Sequence, residues 1–180
     1  MKQIRNNVFE TNSSSTHSIC ISKAPVIIGK HISFHIGEYG WENGCVNTAD
    51  YLYTAILDQD DRGEFLDRLK DILDRYSIKY EFEAPRYAHS KDGTSKWLTN
   101  GYVDHSYEAR EFIDAVLSDD DLLMRYLFGD SYVYTGNDNQ DPDPAGCDIA
   151  RKKYYDVDSY TMVDNPYHDE EHYDYFYKSN

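Results

Sequence analysis

The chain has 180 residues, 40% of them hydrophobic, and its 18 basic against 33 acidic side chains give a formal net charge of −15. That length suits one domain with a core, and that charge excludes a protein that coats nucleic acid over its whole surface, because phosphates would be repelled. No stretch reaches the ~20 apolar residues of a membrane span and no apolar signal region opens the sequence, so a cytoplasmic protein without membrane association is expected.

Cys20, Cys45 and Cys147 are odd in number and widely spaced, with no CxxC pair. They read as reduced core thiols and not as a zinc site. Residues 1 to 37 carry Lys2, Arg5, Lys23 and Lys30 against Glu10 alone, so the start is mildly basic. Thr11 to Ser18 is an almost unbroken run of hydroxyl and amide side chains bracketed by Glu10 and His17. Val8 and Phe9 before it, and Ile19 and Ile21 after it, pin the run between apolar groups. We expect a polar loop through residue 16 and a strand from His17 to Ser22. Ile32-Ser33-Phe34-His35-Ile36 alternates and is expected to pair with that strand, with Ser33 and His35 on the face opposite Ile32, Phe34 and Ile36. The glycine-rich residues 37–44 lack nucleotide-binding spacing.

Asn47 or Thr48 caps a predicted helix carrying Tyr51, Leu52, Ala55 and Ile56. Glu64 to Tyr76 places Phe65, Leu66, Leu69, Ile72 and Leu73 at helical spacing. Ile78 to Glu83 alternates as a strand, and residues 86–105 read as a long loop or hairpin anchored by Trp97. Ser106 to Leu117 is a predicted helix presenting Tyr107, Phe112, Ile113, Val116 and Leu117. Asp119 to Asp121 opens the next helix, which ends at Gly129. Ser131 to Thr135 is a strand, Asp148 to Lys153 a short helix, and Tyr154 to Val163 a last strand before an acidic, Tyr-rich segment from about residue 164. From Asp119 onward there are 15 acids and 5 bases. Without regular βα alternation, the elements point to an α+β fold: one domain with a small mixed or antiparallel sheet and several packed helices.

The loop offers one chemistry. Cleaving an RNA phosphodiester needs a base for the 2′-OH, an acid for the leaving oxygen, and donors to the non-bridging oxygens. Glu10, Ser14 and His17 are the candidate catalytic groups, His17 because its pKa lies near neutrality. Arg5, Asn12, Ser13, Ser15 and Thr16 are candidate phosphate contacts. His31 and His35 would add an imidazole beside His17 if their strand pairs with it. The alternative is a structural turn whose hydroxyls satisfy backbone groups. Residues 136–146 lack the ladder of a calcium loop, and His168, Glu171 and His172 have inverted-zincin spacing within an acidic tail. No cofactor or metal is implied; metal dependence stays open.

The signature Val8 to Ser18, with Gly37-Glu38-Tyr39-Gly40-Trp41 and Tyr51-Leu52-Tyr53-Thr54, resembles a family of small proteins carried by phages and mobile elements of Gram-positive bacteria. The resemblance spans residues 3 to 57, and within that setting the chain is similar to anti-CRISPR inhibitors of Cas9 that truncate the guide RNA. It implies a Cas9–guide RNA complex as partner and RNA as substrate. Two functions are therefore carried forward: an endoribonuclease acting on guide RNA through the loop, or a non-catalytic acidic mimic of nucleic acid that blocks a basic groove. A weaker third is an enzyme acting on a nucleotide or a protein, its Ser/Thr loop holding phosphate.

Overall fold

A computed structural model describes residues 15–40, 42, 44–137 and 141–178. In chain order the elements are β1 (Ser15–Ser22), β2 (His31–Phe34), β3 (Glu38–Tyr39), β4 (Gly44–Val46), α1 (Thr48–Leu57) and α2 (Arg62–Arg75). They continue as β5 (Lys79–Phe82), β6 (Tyr87–His89), β7 (Lys96–Leu98) and β8 (Tyr102–Val103). A 3-10 turn (Ser106–Ala109) leads into α3 (Arg110–Ser118), then α4 (Asp120–Phe128), β9 (Tyr132–Asn137), β10 (Lys153–Asp156), β11 (Thr161–Asp164) and β12 (Tyr173–Lys178). The fold is α+β, as expected.

The main sheet runs β12-β1-β9-β4 with antiparallel pairing throughout. In β1 successive side chains point to opposite faces. Ile19 and Ile21 thus join one core with Leu52, Ile56, Leu69, Ile113, Val116 and Leu123 from the four helices. Burying side chains of this size contributes about 1.5–3 kcal/mol each. The opposite face carries Ser18, Cys20 and Ser22 among Tyr132, Tyr134, Tyr173, Tyr175 and Tyr177 of the flanking strands.

Local chemistry sets the helix starts. The Asn47 side chain accepts from the Asp50 amide, 3.0 Å away, and so caps α1. Asp119 accepts from the amides of Asp121 and Leu122 at the start of α4. Both satisfy amides that no helix can pair internally. Arg125 in α4 ties that helix to the sheet: it donates to the Ser22 carbonyl at 2.8 Å and pairs with Asp174 at 3.1 Å and Asp121 at 2.9 Å.

Several expectations are corrected. β2 pairs with β5, not β1, in parallel register from His31↔Lys79 to Phe34↔Phe82. Parallel partners need a long crossover, and α1 and α2 supply it; Phe34 stacks on Phe82 at 4.8 Å and reaches Tyr53. The predicted strand 154–163 is two, paired as the hairpin β10–β11. Residues 148–150 form a turn and not a helix, and Lys153 already belongs to β10. The acidic segment is no appended tail, because its Tyr173–Lys178 is an edge strand of the main sheet. Tyr107 is 65% exposed and presents nothing to the core, since the first turn of its predicted helix is 3-10 and turns it outward. No described helix is long and apolar enough to cross a membrane.

Candidate functional site

β1 begins two residues before the expected loop-to-strand boundary. Ser15 and His17 therefore share the inward parity of Ile19 and Ile21. His17 is 0% exposed, its Nδ1 lies 2.7 Å from the Tyr51 hydroxyl, and the two rings meet edge to face at 5.6 Å. Across the β1–β12 ladder its partner is Lys178. Lys178 is 3% exposed and donates from Nζ to Ser15 Oγ at 2.8 Å and to the Ser15 carbonyl at 3.4 Å. Gly40 closes the same end: a Cβ there would stand 2.5 Å from Asp104 Cβ and 3.3 Å from Ser15 Cβ, and its φ of +140° suits glycine.

The cluster is electrostatically unusual. Burial first, then the charges of Lys178 and His105, hold the His17 imidazole well below its ordinary value, so it is a neutral ring at physiological pH. Burial brings the Lys178 amine down to about 8, against the opposing pull of Asp104 and Glu108. Among the described residues, Nε2 of His17 and Oε2 of Glu108 are buried without a hydrogen-bond partner. Burial raises the Cys20 thiol to about 12, on the far face of β1, which suits an inert core cysteine.

The sequence-derived candidates separate. Arg5, Glu10, Asn12, Ser13 and Ser14 lie outside the described residues. Ser15 and His17 come together inside the fold, where the buried imidazole faces Tyr51 and Lys178. Thr16 points to the other face and lines a small cavity of about 120 Å3 with Cys147, Asp148 and Arg151. His31 and His35 are exposed and far from His17, because β2 left β1 for β5; His31 faces Glu81 at 3.6 Å and His35 faces Asp50 at 3.2 Å. His168 and His172 sit in turns. There His168 stacks on Tyr175 at 4.3 Å and His172 bonds Asp169 at 2.8 Å. Among the described residues no group of three or more His, Cys, Asp or Glu side chains gathers as a metal site would.

Sequence reasoning missed Lys178, Asp104, Glu108 and Tyr51. The signal for Lys178 was present: Asp174, Phe176 and Lys178 alternate with Tyr173, Tyr175 and Tyr177 as a strand does. What the described cluster can do chemically is hold a polar, low-basicity amine beside a hydroxyl in a dry environment. Comparison of the chain with protein-family models, curated proteins and solved structures finds no match in any of the three.

Proposed function

We propose that the protein is a non-catalytic acidic binding protein that occupies a basic, nucleic-acid-binding surface of its partner. In the setting that the N-terminal signature implies, that partner is a Cas9–guide RNA complex. The observation that carries this reading over the ribonuclease is the sealed His17, 0% exposed and bonded to Tyr51. Acids, by contrast, stand in solvent: the Asp164, Asp67 and Glu81 side chains are 87%, 78% and 78% exposed. The hairpin β10–β11, which carries Asp164, adds apolar contact surface, with Tyr155 and Met162 paired and exposed on it and Tyr160 at its tip 78% exposed. A ribbon of two strands is marginal in water by itself. Here the Asp156 carboxylate accepts from the amides of Asp158 and Ser159, and Asn165 ties the base to the carbonyls of Pro144 and Asp148.

The test is inhibition of Cas9 cleavage with a labelled guide RNA. Inhibition with the guide intact, weakened by salt and by Asp158→Lys, Asp164→Lys and Glu171→Lys together, is expected. Asp169 is left untouched because it holds the turn amides of Glu171 and His172. A shortened guide RNA would overturn the reading in favour of catalysis.

A further inference from the structure

β12 is an edge strand, and the seam between it and the 3-10 turn and first turn of α3 holds a cavity of about 140 Å3. Ile19, Phe112 and Phe176 give it apolar walls, and Glu108, Glu111 and Lys178 are its charged groups. A cavity of roughly 150 Å3 accommodates benzene, so the space suits an organic molecule of about that size.

Lys178 stands apart from the other lysines. Its Nζ reaches Ser15 Oγ at 2.8 Å, and among the described residues no carboxylate pairs with it. The titratable groups facing it are His17 across the ladder, which in turn feels His105, and Asp104 and Glu108 from the β8–α3 connection. Glu108 lines the cavity, and among the described residues its buried Oε2 has no hydrogen-bond partner. In native proteins such orphaned buried atoms are few and call for a function or a ligand.

We propose that Lys178 is a nucleophilic amine that condenses with small uncharged aldehydes and ketones admitted through the cavity between β12 and α3. This activity does not depend on the binding role above. The amine nitrogen bonds to the carbonyl carbon while the carbonyl oxygen takes up a proton, giving a carbinolamine. Loss of that oxygen as water leaves a C=N bond. Both amine hydrogens depart in the water formed, so no oxidant or reductant is consumed, and Glu108 is placed to relay them. Lys178 lines the cavity, and Ser15 holds its Nζ. Glu108 and Glu111 disfavour anionic carbonyl compounds. The low basicity of the buried amine supports the assignment: an amine near 8 is unprotonated in appreciable fraction at neutral pH, while a solvated lysine near 10.5 is not.

The experiment uses the full chain. It is exposed briefly to butanal or cyclopentanone with cyanoborohydride across a pH series, and each modified lysine is found by peptide mass spectrometry. Lys178 should be labelled about tenfold faster at neutral pH than exposed lysines such as Lys79 and Lys91, with its rate half-maximal near pH 8. Pyruvate should label it more slowly than butanal, and Glu108→Gln should slow it. Labelling of Lys178 no faster than that of the exposed lysines overturns the proposal, as does a rate that climbs to the ordinary amine value before levelling. An unchanged rate in Glu108→Gln overturns the role given to that carboxyl. The comparison between lysines is made within one wild-type molecule, so it survives a variant that fails to fold.

Discussion

Replacing Lys178 with Met tests the electrostatics of the cluster most directly. Met keeps the length of the stem and removes the charge. The fall from 10.5 to about 8 in the fold corresponds to about 3 kcal/mol of destabilisation by the buried ammonium. Between those two values the unfolded chain holds more protons than the folded one, so wild-type stability rises with pH across that window and is lowest below pH 8. Against this, the variant loses the hydrogen bond to Ser15 Oγ, about 1–2 kcal/mol. Lys178→Met should therefore be about 1–2 kcal/mol more stable than the wild type at pH 7, and the advantage should vanish and reverse toward pH 10. Urea denaturation of both chains across that range measures it. Ionisation of exposed tyrosines affects both chains alike and cancels in the difference. A variant equally destabilised at every pH would refute the reasoning, because the amine would then be held as a well-solvated or paired cation.

His17→Gln should flatten the acid side of the stability profile. The lowered imidazole makes the wild type lose stability as pH falls below about 6.5, where the unfolded ring takes up a proton that the folded ring refuses, and an acid titration followed by circular dichroism reads the change. Asp119→Ala removes the acceptor for two amides of α4 and should cost about 1 kcal/mol in thermal denaturation. Arg125→Met leaves the Ser22 carbonyl without its donor, while Asp174 keeps Lys23, and should cost about 1–3 kcal/mol in urea. Ile27→Ser, at a position 93% exposed, should change stability by less than about 0.5 kcal/mol.

Local signals were legible where they acted locally. Asn47 and Asp119 marked their helix starts because a capping side chain works within three residues. Phe65, Leu69, Ile72 and Leu73 marked α2 because its apolar stripe has helical period, and those four side chains are buried. Pairing was not legible: Ile32 to Ile36 alternates whichever neighbour it takes, and the intervening helices chose β5 for it. The site was misplaced for a related reason. Ser15 and His17 continue the period of Ile19 and Ile21, but their polarity argues for solvent, and it is Lys178 and Tyr51, distant in sequence, that give them partners inside. The charge of the C-terminal third was visible, while its use as an edge strand was hidden under tyrosines that serve equally at surfaces and in sheets.

The contact from Ser15 to Lys178 joins residues 163 positions apart. Such long-range pairing makes folding slow, since a large loop must close before any contact rewards it. During synthesis β1 must wait with its β12 flank bare until Tyr173–Lys178 has been made. Hydrophobic Ile19 and Ile21 are then open to wrong partners for most of translation. Chaperone demand and loss to aggregation should accordingly rise whenever delivery of Tyr173–Lys178 is delayed or prevented.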